Sequence, residues 1–118
     1  MNTYLKKDYE VFQVRDEKVK ISSMFRFDYG TNEKVFDEKL DNIAINKAFD
    51  VYRKHNNILN KKEIKNIRVS CNLSQRNFAK MIGWDEATII RYEQGALPSK
   101  ANNEIFIGLR DNVDMNFE

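Results

Sequence analysis

Apolar and polar positions along the chain follow two different rhythms. Tyr9-Glu-Val-Phe-Gln-Val14 and Val19-Lys-Ile21 set β-branched and aromatic residues on either side of a charged turn, Arg15-Asp-Glu-Lys18. That is a hairpin pattern, although its turn has neither Gly nor Asn. Met24-Phe-Arg-Phe27 continues the second strand, Tyr29-Gly-Thr-Asn32 is a turn, and Val35-Phe36 adds a short third strand. From Asp37 the period lengthens. Leu40, Ile43, Ala44, Ala48, Val51 and Tyr52 recur three or four residues apart, which places one apolar stripe on a helix ending near Asn56-Asn57. Asp37 or Asp41 is positioned to cap its start.

Beyond Asn60 the pattern is helical throughout, and the helices are short. Asn60 caps a first helix carrying Ile64, Ile67 and Val69. Ser74 stands at the N-cap of a second, Gln75 to Ile82, with Phe78, Ala79 and Ile82 facing inward. Gly83 ends it, as the residue that best tolerates a left-handed cap. Asp85 caps a third helix, Glu86 to Glu93, which Gly95 stops. Ser99, after the only proline, starts a fourth with Ile105, Phe106 and Leu109 on its inner face. The chain therefore reads as α+β. Residues 1–36 form a small β-hairpin or sheet, 37–59 a linking helix, 60–110 a four- to five-helix domain, and 111–118 a tail.

Composition narrows the function. Of 118 residues 42% are hydrophobic, and eight Phe, five Tyr and one Trp supply a core that a disordered chain lacks. A net charge of +2 is too small to imply a nucleic-acid partner. Its distribution is more informative: residues 60–110 carry nine Lys/Arg against five Asp/Glu, while the rest carries eleven against thirteen. The helical half is the basic half. One Cys and one His exclude an intramolecular disulfide and cannot supply four zinc ligands, so folding without metal is expected. No apolar run approaches the roughly 18 residues of a membrane span, and the N-terminus has no apolar signal region. A small cytoplasmic protein fits these features. No phosphate loop, nucleophile elbow or His–Cys pairing supports catalysis, so the chain does not read as an enzyme and needs no cofactor.

The chemistry concentrates between Leu73 and Gly95. Two short helices crossing steeply need a small residue at their contact, supplied by Ala79. Their turn needs a residue free to take positive φ, supplied by Gly83. Apolar residues must also lie on one side of both helices, and Phe78, Ile82, Trp84, Ile89 and Tyr92 supply them. This is a helix-turn-helix pattern, whose second helix is the one able to enter a major groove. Leu73-Ser74-Gln75, Ala79, Gly83 and Arg91-Tyr92-Glu93-Gln94-Gly95 resemble the Xre/Cro-type helix-turn-helix family over about residues 60–110. Val35-Phe-Asp-Glu38, Ala48-Phe-Asp-Val-Tyr-Arg-Lys-His55 and Gly83 to Ala96 resemble, more narrowly, MqsA-type antitoxins and the antitoxin modules that precede a Panacea domain. Those modules carry an N-terminal zinc site. Here Asp28-Tyr-Gly-Thr31 stands where their Cys-x-x-Cys is expected, so the β module must hold together by other means.

The resemblance implies a sequence-specific transcriptional regulator. It further implies the antitoxin of a type II toxin–antitoxin pair, repressing its own operon as a homodimer on a palindromic, double-stranded operator, with a toxin protein as partner. Carried over residue by residue, Gln75 meets a backbone phosphate with Arg76 beside it. Glu86, Ala87 and Thr88 lie where base edges are read, Ile90 reaches a thymine methyl, and Arg91 bonds a guanine edge or a phosphate, with Gln94 at the end of the same helix. Lys61, Lys65, Arg68, Arg76, Lys80 and Lys100 are candidates for basic support, and only some of them are expected to face DNA. The two acids at the start of the third helix favour an alternative: a protein-interaction module that neutralises a toxin without binding DNA. Plainer readings accompany other residues. Arg91 can pair at the surface with Glu93 or Glu86, Trp84 and Cys71 read as core, and His55 as a solvated or capping side chain. The ending Arg110 to Glu118 resembles the linker before a downstream domain.

Overall fold

The computed structural model describes residues 2–116. Three strands and five helices follow in order: β1 Thr3–Val14, β2 Glu17–Asp28, β3 Lys34–Val35, α1 Glu38–Asn56, α2 Lys61–Ser70, α3 Gln75–Ile82, α4 Glu86–Glu93 and α5 Lys100–Asn116. The class is α+β. The chain divides into two compact units, Met1–Asn56 and Asn57–Glu118.

In the first unit the antiparallel sheet has the order β1-β2-β3. The hairpin is longer and its turn tighter than the sequence pattern suggests. Strand β1 begins at Thr3, and Val14 pairs with Glu17 across a two-residue turn, Arg15-Asp16. Without Gly or Asn there, Arg15 takes a φ of 54°, an uncommon conformation for such a residue. Among the contacts that hold it, Gln13 Nε2 donates to the Arg15 carbonyl at 2.9 Å, and the guanidinium lies 5.7 Å from the centre of the Tyr52 ring. Alternation along β2 buries Val19, Ile21, Ser23, Phe25 and Phe27 on one face. Helix α1 covers that face, with Ala44, Ala48 and Tyr52 buried at four-residue spacing. The two alanines let the helix backbone approach the sheet. Ile43, expected in the stripe, is instead 44% exposed. Strand β3 is Lys34–Val35, so Phe36 lies outside it and is largely exposed.

Both candidate caps of α1 act, reciprocally. Asp37 Oδ1 accepts from the Leu40 amide at 3.0 Å, and Asp41 Oδ2 from the Asp37 amide at 3.1 Å. Asp37 Oδ2 also accepts from Arg26 Nε at 2.9 Å, tying the helix start to β2. The turn after β2 is closed by a carboxylate. Asp28 Oδ1 accepts from the amides of Gly30 and Thr31, and the Asp28 carbonyl from the Asn32 amide at 2.7 Å. His55 is solvated, the first of its two expected roles, and its Nδ1 lies 2.8 Å from Glu17 Oε2.

Helices α2 to α5 make the second unit around Leu59, Ile64, Ile67, Phe78, Ala79, Ile89, Tyr92 and Phe106. Trp84, Tyr92 and Phe106 meet edge to face with centroids 5.4–6.1 Å apart, an arrangement the ring quadrupoles favour. Cys71 packs partly buried on this core. Val69 and Ile105, expected inside, are exposed, and Ile107 packs where Ile105 was expected. Helix α5 runs on to Asn116, through residues read as a tail. The buried Asn103 fixes it: Oδ1 accepts from the Leu59 amide at 2.9 Å and Nδ2 donates to the Asn57 carbonyl at 3.0 Å.

The Leu40 amide and the Arg26 guanidinium hold the Asp37 carboxyl below the usual carboxylate range. Ionised Asp37 therefore stabilises the fold at neutral pH. That contribution is lost as pH falls through the ordinary value of about 3.9 and on through the lowered one. Denaturation midpoints measured from pH 6 to 3 should fall less steeply in Asp37→Asn than in the parent, and parallel curves would remove Asp37 as a cause.

Candidate nucleic-acid interface

The helix-turn-helix is built from local signals that act in sequence. Asn60 and Glu63 form a reciprocal capping box at the start of α2. Ser74 caps α3, its hydroxyl accepting from the Asn77 amide at 3.1 Å. Gly83 ends α3 with φ 85°. The Gly83 and Trp84 amides both return to the Ala79 carbonyl at 2.9 Å, which turns the chain sharply into α4. Gly95, with φ 113°, closes α4 in the same way, the Ala96 amide returning to the Arg91 carbonyl. Asp85 occupies the N-cap of α4, but its side chain makes no capping hydrogen bond, contrary to the role expected for it.

One largely buried ion pair ties this unit together. Arg68 Nε donates to Glu93 Oε2 at 2.8 Å and Nη2 to Oε1 at 2.9 Å, while Nη1 donates to the Leu73 carbonyl at 3.0 Å. Both side chains are largely buried, at 14% and 6% exposure. The bonds to Glu93 raise the Arg68 pKa above its ordinary value. Arg68 therefore does not belong among the phosphate-facing candidates: its guanidinium points inward and joins α2 to α4. Glu93, one suggested surface partner of Arg91, is engaged by Arg68 and by Gln75, whose Nε2 lies 3.4 Å from Oε1.

The remaining candidates fall as follows. Ile89 and Tyr92 are buried, so the opposite side of α4 faces outward. Ala87, Arg91 and Gln94 are exposed there at helical spacing, with Glu86 exposed beside them and Thr88 and Ile90 half-buried. Arg91 Nη2 reaches Thr88 Oγ1 at 3.4 Å. At the start of α3, Gln75 is half-buried and Arg76 exposed. Lys61, Lys65, Lys80 and Lys100 are exposed as well. Such a helix face, with a fork-shaped cation and an amide at its end, can form paired hydrogen bonds with base edges, and the start of α3 can approach a phosphate. Among the described residues, no three His, Cys, Asp or Glu side chains are grouped to hold a metal ion. No helix there is long and apolar enough to cross a membrane.

The Arg68–Glu93 pair was the feature least accessible to sequence reading. Its signal was a helical arginine and the glutamate of Arg-x-Glu-x-Gly, 25 residues apart. Glu93→Gln leaves a buried guanidinium without its counter-charge and should destabilise the protein by roughly 3 kcal/mol in urea titrations; a loss below about 0.5 kcal/mol would place the pair among weak surface bridges. A Cβ at Gly83 meets no neighbouring atom, so the cost of a side chain there is backbone strain alone. Gly83→Val should lower stability by about 1–2 kcal/mol or more, and an unchanged melting temperature would contradict it.

Comparison with known proteins agrees with this geometry. No curated protein and no solved structure matches the chain significantly. Residues 64–102, from the middle of α2 into α5, match the helix-turn-helix family model, and the match supports a DNA-binding regulator.

Proposed function

We propose that this chain is a cytoplasmic, sequence-specific transcriptional regulator without enzymatic activity, and that it is the antitoxin-like autorepressor of a type II toxin–antitoxin pair. The observation that carries the DNA-binding part is the outward face of α4. Ala87, Arg91 and Gln94 stand exposed on a helix whose other side is locked into the core by Ile89, Tyr92 and Glu93. A single helix of this length covers only a few base pairs, so a homodimer on a palindromic operator is the economical arrangement. The antitoxin part rests on the likeness of the chain's segments to MqsA-type and Panacea-associated modules. In this reading the β-plus-α1 unit binds the toxin.

A specific observation favours a second reading. Asp85 and Glu86 stand exposed at the leading end of α4, and Asp85 is not consumed as a side-chain cap. Two carboxylates there oppose a phosphate backbone and suit a protein partner. A module that neutralises a toxin without touching DNA would carry such an end.

Binding titrations at fixed salt separate the two, using the duplex upstream of the chain's own gene and a scrambled duplex. Arg91→Ala should cost roughly 1–3 kcal/mol on the operator and much less on scrambled DNA if the guanidinium meets a base. Gln75→Ala should weaken both duplexes about equally. Undiminished operator binding by the Arg91 variant would remove α4 as the reading helix, and a parent protein that prefers neither duplex would favour the second reading.

A further inference from the structure

We infer that the outer face of the β1–β2 hairpin is a docking surface for a protein partner that presents an apolar strip edged by carboxylates. The inference deepens the toxin-binding half of the proposed function and rests on it only for the identity of the natural partner.

The hairpin has two unlike faces. One is packed under α1. The register places Leu5, Lys7, Tyr9, Val11 and Gln13 of β1 on the other face, with Arg26, Met24, Ser22, Lys20 and Lys18 of β2 respectively opposite them. Four large apolar side chains are exposed there: Leu5 by 49%, Tyr9 by 63%, Val11 by 55% and Met24 by 42%. Large apolar side chains left open together on one face of a small unit mark an interaction site more often than an accident of composition.

The charges identify the occupant. Lys7, Lys18 and Lys20 are exposed on the same face, Lys7 between Leu5 and Tyr9 and Lys20 opposite Val11, and Lys20 Nζ sits 4.9 Å from the Tyr9 ring centre. Among the described residues, two carboxylates lie at this face and both are engaged: Asp28 is turned into its own loop by the Gly30 and Thr31 amides, and Asp37 is held by Arg26. The face thus interleaves apolar side chains with cations. A second copy related by two-fold symmetry would set these lysines against one another. A nucleic acid would leave Leu5, Val11 and Met24 without complementary groups. An acidic amphipathic surface satisfies both the apolar side chains and the lysines between them.

The edge of β1 directs the partner to the face. With a two-residue turn, Tyr9 and Ser22 form a non-hydrogen-bonded pair, so the Tyr9 amide and carbonyl point to the open edge. Both are occupied by side chains: the amide donates to Asp8 Oδ1 at 2.8 Å, and the carbonyl accepts from Lys34 Nζ at 3.3 Å. Addition of a partner strand at mid-edge is blocked in this way.

The test uses the full chain and two synthetic helical peptides with one leucine stripe, flanked by glutamates in the first and by lysines in the second. Isothermal titration and amide shifts should show the glutamate peptide binding at Leu5–Val11 and Lys18–Met24, and the lysine peptide not binding. Lys18→Glu/Lys20→Glu should weaken the glutamate peptide roughly five- to tenfold, as two exposed pairs would. Leu5→Thr/Val11→Thr, which retains strand propensity, should abolish detectable binding while the thermal transition persists. Equal binding of both peptides, no binding, self-association removed by the threonine variant, or shifts on this face caused by duplex DNA would each overturn the inference. The product of the neighbouring gene separates the two readings. If it binds parent and hairpin variants equally, the toxin reading stands and the surface is wrong. If it does not bind while the glutamate peptide does, the surface stands and the toxin reading fails.

Discussion

The Arg68 guanidinium holds both carboxylate oxygens of Glu93 and the carbonyl of Leu73, and these three bonds join α2, the end of α4 and the loop that enters α3. An arginine is suited to this position because its rigid planar fork meets both carboxylate oxygens in parallel while a third N–H serves the carbonyl, a geometry the point charge of a lysine does not fix. Burial of the pair makes each partner dependent on the other, since either charge alone would be stranded away from water. The apolar cluster around Phe78 and Phe106 supplies most of the cohesion, but apolar packing is non-directional. The ion pair supplies direction. It fixes how α4 lies against α2, and so which of its residues remain outside.

That constraint also sorts the cations of the basic half. Arg68 faces inward and serves the architecture, while Arg76, Arg91 and the exposed lysines remain available to a partner. The same division recurs in the first unit. Lys34 crosses the Phe25 ring to meet Asp8, Glu10 and the Tyr9 carbonyl, and Arg26 secures Asp37. Lys7, Lys18 and Lys20 stay on the open face. Charge in this chain is therefore better read by what each residue touches than by its sum.

Local signals were legible in the sequence because their causes are local. The caps at Asn60 and Ser74, the left-handed Gly83 and the inward Phe78 and Ala79 all follow from neighbours within one turn. What escaped depends on partners distant in sequence. Arg68 finds Glu93, Asn103 finds Leu59 and Asn57, and His55 finds Glu17. Val69 and Ile105 carry the right residue type at the edge of an apolar stripe, and only packing decides that they stay outside. The hairpin turn is tighter than its residues suggest for a related reason: Arg15 takes a conformation its residue type disfavours, held by Gln13 and Tyr52. In the candidate interface the order of residues along α4 was readable, whereas the engagement of Glu93 and Gln75 beneath it was not.

The most direct test of the account is an amide-shift titration of the whole protein with the duplex from upstream of its own gene, observed residue by residue. Shifts concentrated at Gln75–Arg76 and at Glu86–Gln94, fading as salt is raised, with the β1–β2 hairpin unmoved, are the result expected if α4 is the reading helix. Shifts confined to the hairpin, or none at any salt concentration, would contradict it.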